Sequence, residues 1–130
     1  MYRAIIPLLL LAGSVGASAQ SRNDLVNRAQ VELDRDLRGL SAGKPQDCIR
    51  HLEAHSSRIY GSTVLFKVSS GLVYRNETRG GCTSSGFQTA LQTDQVTNRL
   101  CAGDAARTFD PTAGVLTGTC TLGQFVPYRK

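Results

Sequence analysis

From Asp47 onward apolar and polar residues alternate with a period of two, and Val64-Leu65-Phe66-Lys67-Val68 is the strongest strand pattern in the chain. Ile59-Tyr60 leads into it through a turn at Gly61-Ser62. Ser69-Ser70-Gly71 predicts a tight turn, with Leu72 to Arg75 returning as the hairpin partner. Asn76 to Gly86, rich in Gly, Ser and Thr, reads as a loop. Further strands are expected at Gln88 to Thr93, Arg107 to Phe109 and Val115 to Phe125. Asp110-Pro111-Thr112-Ala113-Gly114 supplies the turn of the last hairpin.

Before Asp47 the period is helical. Leu25, Ala29, Leu33 and Leu37 recur at every fourth position, and Val26, Leu33 and Leu40 at every seventh, so one apolar stripe forms. Ser21 is the expected cap, with Asp24 three residues on. The opposite face carries charge, with Arg28/Glu32 and Asp34/Arg38 spaced to pair across a turn. Gly39 or Gly43 ends the helix and Pro45 bars its continuation. A single stripe must bury against something, and the sheet is the expected partner.

Still earlier, Arg3, the apolar run Ala4 to Ala12 and Ala17-Ser18-Ala19 form a signal-peptide pattern, with the cut expected before Gln20. The apolar run is well short of the ~20 residues that cross a bilayer, so no membrane span is expected. The organisation read from the sequence is therefore a signal peptide over 1–19 and a helix with linker over 20–45. A disulfide-stapled antiparallel β region follows over 46–130, in one domain with the helix. The fold class is α+β: a helix packed on a small antiparallel sheet or partly closed barrel of about six to eight short strands.

The four cysteines, Cys48, Cys82, Cys101 and Cys120, stand 34, 19 and 19 residues apart. An even count behind a secretory signal reads as two disulfides in an oxidising compartment. Four cysteines allow three pairings. The nested one, Cys82 with Cys101 and Cys48 with Cys120, is favoured. The segment between Cys82 and Cys101 can fold back locally, and a nearly closed sheet would set the first strand beside the last. Aligning the two 19-residue steps gives only chance matches, so no repeat is present.

Charge narrows the function. The formal net charge is +5, or +4 once Arg3 is removed, and Lys and Arg are scattered singly with few aromatics. That pattern argues against nucleic acid as a partner. His51 and His55 are the only histidines. Their i, i+4 spacing would serve a metal on a helix, but Glu53 misses the H-E-x-x-H position and the segment reads as extended. Surface histidines are favoured, and a small metal-binding protein or enzyme using them is the alternative. Ser70 and Ser85 precede turn glycines without a histidine in a catalytic motif, so neither is taken as a nucleophile. Asp104 reads as a turn residue, and Gly80-Gly81 lacks the lysine and helix of a phosphate loop. Asn76-Glu77-Thr78 matches the N-glycosylation pattern. No cofactor is indicated, and no residue is assigned as catalytic, cofactor-binding or metal-ligating.

A run of features carries a resemblance: Cys48-Ile49, Ser57-Arg58-Ile59, Val73-Tyr74-Arg75, Arg79-Gly80-Gly81-Cys82, Leu100-Cys101-Ala102-Gly103-Asp104 and Cys120-x-Leu-Gly-x-Phe. Together, over roughly Asp34 to Lys130, they resemble small secreted four-cysteine proteins of Gram-negative bacteria that carry a domain of unknown function. That resemblance implies export to the periplasm or beyond, with a cell-envelope or protein partner, and brings no activity or cofactor. A second, shorter one is the match of Ser70-Gly71-Leu72-Val73-Tyr74 to the S-G-x-x-Y loop of periplasmic inhibitors of c-type lysozyme. Those lysozymes are strongly basic, so a +4 partner would be repelled. The expected role is a non-catalytic periplasmic or cell-envelope domain with a binding or structural part, and inhibition of a cell-wall hydrolase is the alternative.

Overall fold

A computed structural model of the chain describes residues 17–50, 56–82, 89–93 and 97–130, with side chains from Ser21 onward. The helix α1 spans Ala17–Asp36, and eleven strands follow it among the described residues. They are β1 (Ser41–Ala42), β2 (Cys48–Arg50), β3 (Ser56–Tyr60), β4 (Thr63–Ser69), β5 (Leu72–Glu77) and β6 (Arg79–Gly80). Then come β7 (Ala90–Thr93), β8 (Arg99–Cys101), β9 (Ala105–Asp110), β10 (Val115–Thr121) and β11 (Phe125–Arg129).

All pairings are antiparallel, in three sheets ordered β1-β11-β5-β4-β3, β6-β10-β9-β7 and β2-β8. The expected β3–β4–β5 meander is present, and its period-two pattern sorts the residues between two faces. Val64, Phe66, Tyr74 and Phe125 point into the main core with Ile49, Leu100, Ala106, Leu122 and the Cys82 and Cys120 side chains. Phe125 lies at its centre, fully buried, with its ring tilted against Phe66 at 5.6 Å and edge-on to Tyr74 at 6.4 Å.

The opposite face of the five-stranded sheet receives α1. Leu33 packs with Tyr60, Leu65 and Val73, supported by Ala29, Leu37 and Leu40. Only the C-terminal part of the apolar stripe is used this way: Leu25 and Val26 stay 64% and 63% exposed, against 2% for Leu33. The helix begins ahead of the expected cap, so Ser21 sits inside it; Ala17-Ser18-Ala19-Gln20 holds no residue that stops a helix. It therefore runs through the bond where the signal-peptide cut is expected. On the charged face Asp34 accepts from Gln30 Nε2 at 2.8 Å rather than meeting Arg38. Of the two candidate glycines it is Gly39, at φ 81°, that terminates α1.

Three strand expectations are corrected. Asn76 and Glu77 close β5, and Arg79–Gly80 forms β6, so the expected Asn76–Gly86 loop is partly strand; 83–88 lie outside the described residues. Val115 to Phe125 is not one strand. It breaks at Leu122-Gly123-Gln124, and β10 and β11 join different sheets. The short bridging pieces β1, β2, β6 and β8 raise the strand count above the expected six to eight.

The nested disulfide pairing is also corrected. Cys48 bonds Cys101, and Cys82 bonds Cys120. Cys48 and Cys101 are directly opposed in the β2–β8 ladder. Cys82 follows β6, whose Gly80 is opposite Cys120 on β10. Nesting assumed that the strand bearing Cys120 lies beside the one bearing Cys48. In the structure it is β11, beyond the Gly123 break, that reaches back toward this region, through the Gln46–Phe125 bridge.

Candidate functional site

Register on the helix-facing side of the large sheet lines up side chains from distant parts of the sequence. Ser56, Lys67, Val73 and Tyr128 form one cross-strand row, and Arg58, Leu65, Arg75 and Val126 the next. Tyr60, Thr63 and Glu77 form a third. The end of α1 covers only part of this surface. Between its last turn and the sheet lies a cleft of about 290 Å³, floored by Leu65, Val73 and Tyr60 and walled by Arg38, Arg58, Lys67 and Lys130. Ser56, Ser69 and Ser70 add hydroxyls, and Asp36 is the one acidic residue of the lining.

Asp36 is already committed. The Tyr60 hydroxyl donates to its Oδ2. Arg58 Nη1 donates to the same oxygen at 3.0 Å, while Arg35 Nε stands 3.5 Å from Oδ1. The Arg58 guanidinium also lies over the Tyr60 ring, 5.5 Å from its centroid. Burial and the bond to Asp36 push the Tyr60 phenol well above its ordinary range, against the smaller opposing pull of Arg58. Tyr60 is therefore a fixed donor that holds Asp36 in place.

The next row is tied separately. Arg75 Nε donates to Glu77 Oε1 at 2.8 Å, and Thr63 Oγ1 lies 2.8 Å from Glu77 Oε2. Burial works against the Arg75 charge, but its bonds to Glu77 and Tyr128 outweigh burial and hold the guanidinium above its ordinary value. Arg38, Lys67 and Lys130 differ: among the described residues no ion pair or hydrogen bond engages their side chains. The cleft is thus rimmed by exposed positive charge around an apolar floor. It can bind and orient a negatively charged group.

A larger cavity of about 680 Å³ opens over the Cys48–Cys101 bond, with Arg50, Tyr74, Asn98 and Arg99 in its wall.

The residues singled out in the sequence fall elsewhere. His51, His55 and Ser85 lie outside the described residues. No group of three or more His, Cys, Asp or Glu among the described residues is placed to hold a metal ion. Asp104 is a turn residue: its Oδ2 accepts the Cys101 N–H at 2.8 Å and its own N–H reaches the Cys101 carbonyl at 3.1 Å. Gly80, at φ 115°, lies so near β10 that a Cβ there would stand 3.0 Å from the Thr119 carbonyl oxygen. Asn76 is wholly buried, so its glycosylation pattern is out of reach in the folded chain. Ser70 alone reaches the cleft, as an exposed hydroxyl on its rim.

Arg38, Arg58 and Lys67 were not site candidates in the sequence, where Arg38 read as the helix partner of Asp34 and the other two as single charges. The signal that finds them is alternation: Ser56-x-Arg58-x-Tyr60 puts three polar-tipped side chains on one face, and the β3–β4 hairpin register adds Lys67. No protein-family model, no curated protein and no solved structure matches this chain. No helix among the described residues is long and apolar enough to cross a membrane.

Proposed function

We propose that this chain is an exported, non-catalytic binding domain of the cell envelope, periplasmic or secreted, as the resemblance to small secreted proteins of Gram-negative bacteria implies. The observation that carries the reading is the cleft at the end of α1. Arg38, Lys67 and Lys130 lack ionic partners among the described residues, while the cleft's one acidic side chain, Asp36, is already held by Tyr60 and Arg58. Such a lining supplies charge and shape for binding, with no acidic side chain left to act as acid or base. The two disulfides fit an oxidising compartment. Inhibition of a basic cell-wall hydrolase draws less support, because Ser70 shares the cleft lining with Lys67 and the other cations.

The test is expression of the full chain in a Gram-negative host, followed by osmotic-shock fractionation, thiol alkylation and N-terminal sequencing. A periplasmic product beginning at or near Gln20, with no alkylatable cysteine, is expected. An intact Met1 terminus in a soluble cytoplasmic pool, or reduced cysteines, would overturn the export reading.

A further inference from the structure

We propose that the cleft between the end of α1 and the outer face of the large sheet binds a single sugar unit bearing a carboxylate or phosphate. This rests on the binding-domain reading and names its ligand. Four features converge. Arg38 and Lys67, both in the lining of the cleft, are exposed and have no ionic partner among the described residues. With Arg58 they give one lining an excess of positive charge that an anion would neutralise, and an Arg fork matches the oxygens of either anion. The apolar part of the lining is the half-buried Leu40 together with the nearly covered Leu65 and Val73, a surface that suits the C–H face of a pyranose ring rather than a bare ion. The rim hydroxyls of Ser56, Ser69 and Ser70 are placed to exchange hydrogen bonds with ring hydroxyls. Finally, about 290 Å³ lies just under the ~300–1,000 Å³ range of small-ligand sites, which fits one ring and not a buried chain.

The test is a titration of the oxidised, full chain followed by amide NMR, with glucuronate, glucose phosphate, uncharged glucose, acetate and inorganic phosphate as probes. Glucuronate or glucose phosphate should shift the amides of Ser56, Arg58, Lys67 and Val73, and the tighter of the two identifies the anion. Glucose, acetate and inorganic phosphate should each bind at least about tenfold more weakly, since ring and charge both contribute. Lys67→Glu and Arg38→Glu, both at exposed positions, should weaken binding by about tenfold or more and leave the dispersion of the spectrum intact. Acetate or inorganic phosphate binding as tightly as the sugars would overturn the sugar, and a DNA duplex competing at the cleft with equal affinity would overturn the ligand class. Shifts confined to another face, or none with any probe, would overturn the site. These failures leave the export result above untouched, so the two readings fall separately.

Discussion

The side chain of Asn76, at the end of β5, clasps the backbone of Gly123 from both sides. Its Oδ1 accepts the Gly123 N–H at 2.8 Å and its Nδ2 donates to the Gly123 carbonyl at 2.8 Å. The pair lies at the break between β10 and β11, where the chain leaves one sheet for another. Asn76 is fully buried, so these two bonds replace ladder bonds that the break removes.

Replacing Asn76 by Ala strands both backbone groups and should cost about 2–4 kcal/mol in urea denaturation. Asn76→Asp keeps the acceptor but loses the donor and buries a charge, so it should be no better. Gly123→Ala should also destabilise, by about 2 kcal/mol or more, since its Cβ would stand 2.4 Å from the Glu77 carbonyl oxygen. Wild-type stability in Asn76→Ala would show that the clasp does not hold the sheet switch.

The β3–β4–β5 meander was legible because its signals are local: period-two alternation on each strand and turn residues at Gly61 and Ser69-Ser70-Gly71. The Gly123 break was not. Cys120-Thr121-Leu122 and Phe125-Val126 both favour strand, and what interrupts them is a side chain 47 positions away in sequence. The disulfide pairing depends on that break, so it failed with it. The cleft failed for a related reason: Arg38, Arg58 and Lys67 meet only through strand register and the packing of α1. The apolar stripe of α1 predicts burial along its length, yet the sheet covers only the end that Gly39 and Leu40 turn back against it.

Two interleaved loops predict a different response to cysteine removal than the nested pairing does. Cys48 and Cys101 are 53 residues apart, and Cys82 and Cys120 are 38 apart. In the chain-entropy model each bond contributes about 4 kcal/mol, and the two differ by only about 0.3 kcal/mol. The Cys48→Ala, Cys101→Ala double variant and the Cys82→Ala, Cys120→Ala double variant should therefore lose similar stability. Non-reducing peptide mapping should give Cys48–Cys101 and Cys82–Cys120 peptides. A Cys48–Cys120 peptide from the native protein would restore the nested arrangement.

The helix is anchored at one end. Leu33→Ala empties a buried site among Tyr60, Leu65 and Val73, and should cost about 2–5 kcal/mol. Leu25→Ala removes a side chain that is 64% exposed and should change stability by no more than about 0.5 kcal/mol. Equal losses from the two would place the first half of α1 against the sheet as well.

The Tyr60–Asp36 contact makes stability depend on alkaline pH. Tyr60 is protonated and neutral in the fold, and burial followed by the bond to Asp36 raises its pKa above the unfolded value of about 10. Above about pH 10 the unfolded chain releases this proton while the folded chain keeps it, so the unfolded state binds fewer protons and stability falls as pH rises. The contribution is fully present below about pH 10 and is lost as pH climbs toward the folded value. Tyrosinate absorbance of the native protein should include a step later than that of free tyrosine. Tyr60→Phe should abolish that late step and cost about 1–2 kcal/mol at neutral pH, through the lost bond to a carboxylate. Stability of the variant should then decline less steeply above about pH 10 than that of the wild type. Parallel declines in the two proteins would assign the alkaline loss to other groups and remove Tyr60 as the residue that fixes Asp36 beside the cleft.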